Sequence, residues 1–217
     1  MHCLVRHIIA LSLAVAASGA PALARDASIV ILRTDRSIEL YLSMPSDMMM
    51  AAFRAPETLL ASADGTVEVD QFWRGTWNIG DDILNGAEVT LGAADVQFEA
   101  MSLMVHPADQ RLEMTTPLDG QIAMSVCGAP PPEVAPTLDK LHTYVGYFLD
   151  TTVSDAPLAL SLPDGEFAGL DVTVWDYTGY RLTNVTRTRL SEGGTLVAES
   201  GGFPQRVLAW ARAVFWG

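Results

Sequence analysis

A repeat of two residues runs through this chain and limits the folds open to it more than any other feature. Ile38, Leu40 and Leu42 alternate with Glu39, Tyr41 and Ser43, so an extended segment there turns one apolar face inward. Just before it, Ser28 to Arg33 is an apolar, β-branched run, and Thr34, Asp35 and Arg36 separate the two. Two such runs around a short polar break predict a β-hairpin. The same reading predicts strands at 88–91, 96–105, 111–115 and 121–127, and again at 158–162, 170–175, 180–190 and 195–199. Gly92, Pro107, Pro117 with Gly120, Gly179 and Gly193 punctuate them. Short strands between turn signals point to a mainly β chain, expected to be an antiparallel β-sandwich-like fold, rather than to βαβ units.

Helical signals are few. Pro45 to Phe53 carries Ser46 as a possible cap, Asp47 in the first turn, and a run of Met and Ala, both good helix formers. Leu138 to Val153 reads as a short helix running into a strand. Phe203 to Trp216 opens on Pro204 in a favourable first-turn position. On a helical wheel it groups Val207, Leu208, Trp210, Ala211, Val214 and Phe215, with Arg206, Arg212 and Trp216 opposite. One or two short helices and a C-terminal amphipathic helix are therefore expected beside the strands.

The first 24 residues read as an export signal. Arg6 heads an apolar run from Ile8 to Ala17, and Ala22-Leu23-Ala24 offers the small residues a signal peptidase accepts. Ten apolar residues reach about 15 Å as a helix, half of a bilayer core, which disfavours an anchor. Removing 24 of the 217 residues leaves 193, and with Arg6 lost from 13 basic residues against 26 acidic ones the net charge is near −14. Such a chain repels phosphate backbones and anionic lipid. No nucleic-acid partner is expected, and a peripheral membrane contact has little to drive it. The expected location is periplasmic or secreted. Four prolines in Ala129 to Pro136 mark the expected linker between a main β region (25–128) and a second β lobe with the terminal helix (137–217).

Export also removes Cys3, leaving Cys127 without an intrachain partner, so stability must come from the core. The plain reading of Cys127 is a buried thiol. Only His106 and His142 could serve as histidine bases. No Gly-x-Ser-x-Gly elbow, glycine-rich phosphate loop, calcium loop or paired-cysteine zinc site occurs, so no catalytic residue and no cofactor is assigned. Met48, Cys127, His106 and His142 are the candidate ligands of a soft-metal site, since thioether, thiolate and imidazole suit Cu(I). Methionines also fill irregular core gaps, which is the simpler role for them. Candidate partner-binding residues are Trp210, Val214, Phe215 and Trp216 in the terminal segment, and Trp73 and Trp77 in an aromatic loop with Arg74. The expected role is a non-catalytic binding or assembly module recognising another envelope component. A copper carrier comes second and a hydrolase of unknown type third.

Overall fold

The opening hairpin forms as its alternation requires. Strands β1 (Ser28–Arg33) and β2 (Ser37–Pro45) pair antiparallel, with Ile31 opposite Leu40. The Thr34 hydroxyl closes the turn by accepting from the Arg36 and Ser37 amides at 3.2 and 3.0 Å. This computed structural model describes residues 27–52, 62, 65–68, 71–72, 74, 87–126, 135–151, 156–162, 170–190 and 195–198. Helix α1 (Ser46–Ala52) follows β2 where the Met/Ala run predicts it. The Ser46 hydroxyl bonds the Thr143 hydroxyl at 2.8 Å, tying α1 to the neighbouring strand. Then come β3 (Glu88–Leu91), β4 (Ala94–Asp95), β5 (Glu99–Pro107), α2 (Pro117–Ser125) and β6 (Leu141–Asp150). The described chain finishes with β7 (Leu158–Ser161), β8 (Asp171–Thr178), β9 (Arg181–Arg189) and β10 (Thr195–Ala198).

The molecule is mainly β. Six strands form one sheet in the order β5-β6-β2-β1-β8-β9, and four form another in the order β10-β7-β3-β4. Strands from before and after the proline run share both sheets: β6 lies between β5 and β2 in the larger, and β7 pairs with β3 in the smaller. The pairing is antiparallel as expected except between β1 and β8, which run parallel. β2 already occupies one side of β1, so β8 adds to the other side. A parallel pair needs a long crossover, and more than a hundred residues separate these two strands in the chain.

Alternation along the six-stranded sheet makes two unlike faces. On the first, Ile29, Ile31, Ile38, Leu40, Leu42, Val145 and Val174 join Val89, Leu91, Leu158, Leu160 and Leu196 of the smaller sheet in one core cluster. A charged link crosses between the sheets there. Arg33 Nε donates to Asp176 Oδ1 at 2.6 Å, and its Nη1 donates to the Ala198 carbonyl at 3.2 Å. Asn184 Nδ2 donates to the other Asp176 oxygen at 3.3 Å. A buried pair is tolerable when its remaining donors and acceptors are met in this way. On the second face, Val30, Tyr41 and Tyr144 pack against Ala123 and Met124 of α2 and against Met114.

Three expected strands change. Residues 121–127 were expected to continue as β, and through Ser125 they belong to α2 instead. Thr116 caps that helix: its hydroxyl accepts from the Asp119 amide at 3.2 Å, and the Asp119 carboxylate accepts from the Thr116 amide at 2.8 Å. Pro117 sits at the first helical position, where its missing N–H costs nothing. The buried set is then Pro117, Gly120, Ala123 and Met124, a helical spacing. Residues 111–115 form no strand, because their polar groups bond side chains instead of a ladder. The strand expected from 96 begins at Glu99, with a bulge between Ala100 and Ser102. The C-terminal helix, the export signal and residues 129–134 lie outside the described residues.

Candidate functional site

Helix α2 covers β6, β5, β2 and β1 on the second face, and among the described residues no helix packs over β8 and β9. Segment 111–116 runs beside that uncovered part and is held in place by side chains. Tyr144 donates its hydroxyl to the Leu112 carbonyl and accepts from the Leu112 amide, both at 2.8 Å. Ser28 donates to the Met114 carbonyl at 3.2 Å. Asp119 accepts from the amides of Thr115 and Thr116 at 3.0 and 2.8 Å. Burial opposes ionisation of Asp119, but these bonds outweigh it and hold the carboxyl below its ordinary range.

Behind this wall lies a compact polar cluster. His106 and His142 face each other on adjacent strands. Tyr144 stands edge-on to His106, with ring centres 5.2 Å apart, and tilted against His142 at 4.9 Å. Ser43 Oγ and His142 Nε2 are hydrogen-bonded at 2.8 Å. Both histidines are buried. Burial pushes the His106 imidazole below its ordinary value, the Ala123 carbonyl opposing in part. Burial likewise raises the Tyr144 phenol. Next to them Tyr41 donates to the Glu39 carboxylate, and burial raises its pKa well above the ordinary range.

Two hollows open along the uncovered part. One, of about 370 Å³, lies between segment 111–115 and the adjoining ends of β1, β2, β8 and β9; Ser28, Ser43, Arg111, Glu113, Thr173 and Arg187 line it. The other, of about 230 Å³, lies at the opposite end, between Leu118 and Gln121 of α2 and Tyr177 and Tyr180 of the β8–β9 hairpin. Gly179 makes that hairpin, with φ at +58°, the left-handed conformation a tight two-residue turn needs at its first central position. Trp175 sits between the hollows on β8, and its buried indole N–H has no acceptor among the described residues.

Strand β9 bounds the uncovered part and ends the sheet. It is nine residues long, pairs with β8 on one side, and has no strand on the other among the described residues. Seven of its residues are exposed and two half-buried, including exposed Leu182 and Val185. Arg189 forms an exposed ion pair with Asp171 at 2.7 Å. Arg187 lies on the same side of the strand, against Thr173.

Of the described residues singled out in the sequence, two meet and one stands apart. Met48 packs against the first core cluster, whereas His106 and His142 lie on the other face of the six-stranded sheet. Among the described residues no three His, Cys, Asp or Glu side chains gather as a metal would require. Cys127, Trp73, Trp77, Trp210, Val214, Phe215 and Trp216 lie outside the described residues. Sequence reasoning missed Ser43, Tyr144, Asp119 and the Arg33–Asp176 pair. A Ser/Thr-x-x-Asp/Glu signature before α2 would have exposed Asp119; nothing local marks the others, whose partners stand up to 143 residues away.

No known family model matches this chain, and a search of curated proteins finds no significant relative. Among the described residues no helix is long and apolar enough to cross a membrane.

Proposed function

We propose that this chain is a non-catalytic binding or assembly module that works outside the cytoplasm, after loss of residues 1–24, and recognises another envelope component. In this reading the two sheets pack as a sandwich, supported by the core they share and by the Arg33 bond to Ala198. The observation that carries the proposal is the contrast on the second face. One half is closed by α2, while the β8–β9 half, among the described residues, is open, flanked by a hydrogen-bonded wall and bounded by an edge strand. A recognition surface held rigid before binding loses little ordering entropy when its partner arrives.

A photo-crosslinking residue at Val185 or Leu182 tests this in cells, with Glu88 on the smaller sheet as the control. Adducts of one defined mass are expected from the first two positions and not from the third, in a processed chain recovered outside the cytoplasm. Equal adducts from all three, or an unprocessed cytoplasmic chain, would sink the proposal.

A second reading, a hydrolase, is favoured by one observation: Ser43 lines the larger hollow with its hydroxyl on His142 at 2.8 Å. Both side chains are buried, 3% and 2% exposed, which fits a structural bond better than attack on a substrate. Covalent labelling of Ser43 by a fluorophosphonate would overturn the binding-module reading in favour of this one.

A further inference from the structure

We infer that the outer edge of β9 accepts an extended, acidic peptide segment of a partner protein as an added strand. This rests on the binding-module reading and names what that module takes. An edge strand presents a row of unpaired amides and carbonyls, a template for another strand unless something blunts it. β9 is long, and within it there is no proline or glycine. Its bulge falls near the hairpin, where the register with β8 shifts between Asp176 and Tyr177, and leaves 184–189 regular.

Charge selects the occupant. The whole chain carries a net −13, yet β9, Arg-Leu-Thr-Asn-Val-Thr-Arg-Thr-Arg, holds three arginines and no acid. Arg187 and Arg189 lie two residues apart on one side of the strand. A strand with carboxylates at alternate positions meets both, and a small apolar residue between the acids and the hairpin end meets Val185. The Arg189–Asp171 pair is no obstacle. Both side chains are more than half exposed, and such a pair contributes at most about 1 kcal/mol. A second copy fits poorly. An antiparallel two-fold pairing centred on Val185 sets Arg181 beside Arg189 of the other copy, and parallel in-register pairing sets arginine on arginine.

The test uses the full chain and four capped eight-residue peptides: alternating glutamate and valine, alternating lysine and valine, and two forms of the glutamate peptide N-methylated at alternate amides, one on each edge. By fluorescence anisotropy at low salt, the glutamate peptide is expected to bind at least tenfold tighter than the lysine peptide. N-methylation on one edge should abolish binding, and hydrogen exchange should slow at amides within 181–189. Arg187→Glu should reverse the charge preference, and Arg187→Gln should weaken it. Equal binding of the glutamate and lysine peptides, indifference to methylation, or protection confined to segment 111–115 would overturn the inference. Adducts at Val185 without peptide binding would overturn it and leave the module reading standing; loss of both would remove both.

Discussion

Strands β2 and β9 are each nine residues long and belong to the same sheet, yet they share almost nothing else. β2 lies between β1 and β6, with apolar side chains in the core on one face and α2 over the other. Six of its residues are buried, whereas β9 has none. Sequence tracks this difference. Ser-Ile-Glu-Leu-Tyr-Leu-Ser-Met-Pro puts four large aliphatic side chains on one side, while β9 spreads threonine and arginine over both. A strand closed on both faces stabilises the molecule. One open on both faces and along an edge contributes little, and is free to bind.

The largest effect is expected where β9's side of the sheet is anchored. Asp176→Ala removes one acceptor of Arg33 and one of Asn184, and takes a carboxylate from beside a buried guanidinium. A loss of about 3–5 kcal/mol is expected in urea unfolding. A loss below about 1 kcal/mol would mean that this pair does not anchor β8 beside β1. Next comes the contact over β2. A Cβ on Gly120 would stand 2.5 Å from the Tyr41 ring carbon Cγ, which is fully buried and cannot retreat. Gly120→Ala therefore costs about 1–3 kcal/mol, although alanine favours helix. A stabilised variant would show that α2 does not sit on β2.

Acid provides a smaller, graded probe of the closed half. The folded protein holds His106 below its ordinary value, so beneath about pH 6.5 the unfolded chain takes up a proton that the folded chain resists. Stability from this group is complete above that pH and falls as pH drops through it. Asp119, whose carboxyl is held low, adds stability above about pH 4 that is lost on further acidification. Melting temperatures should fall in two stages, and His106→Gln should flatten the first. An unchanged slope in that variant would remove His106 from the account.

Much of this was legible from residue order alone. The hairpin of β1 and β2, helix α1, strand β3 and the single 3-10 turn Leu138–Lys140 that leads into β6 follow from alternation, capping and punctuation. Segment 117–125 misled because Ile122, Met124 and Val126 mimic a strand, while Gly120 and Ala123, too small to register as apolar, carry the helical face. The Thr116–Asp119 box was the better signal, since it satisfies particular donors and not an average preference. The parallel pairing of β1 with β8, and the meeting of Ser43, His142 and Tyr144, depend on contacts across some hundred residues or more of chain or between three strands. No local pattern encodes these.

The smallest expected effect is the sharpest test of the contrast between the two strands. Val185→Ala shortens an exposed side chain on β9, and surface changes of this kind shift stability by no more than about 0.5 kcal/mol. Leu40→Ala on β2 empties a core site and costs about 2–5 kcal/mol. If β9 is kept for recognition, Val185→Ala should leave the melting temperature in place while lowering crosslinking from neighbouring Leu182. If Val185 instead lies beneath another part of the chain, its truncation will cost stability as a buried residue does. A loss above about 1 kcal/mol would close the β9 face to any partner. The reason is physical: a side chain cannot both be covered within its own fold and remain open to a second molecule.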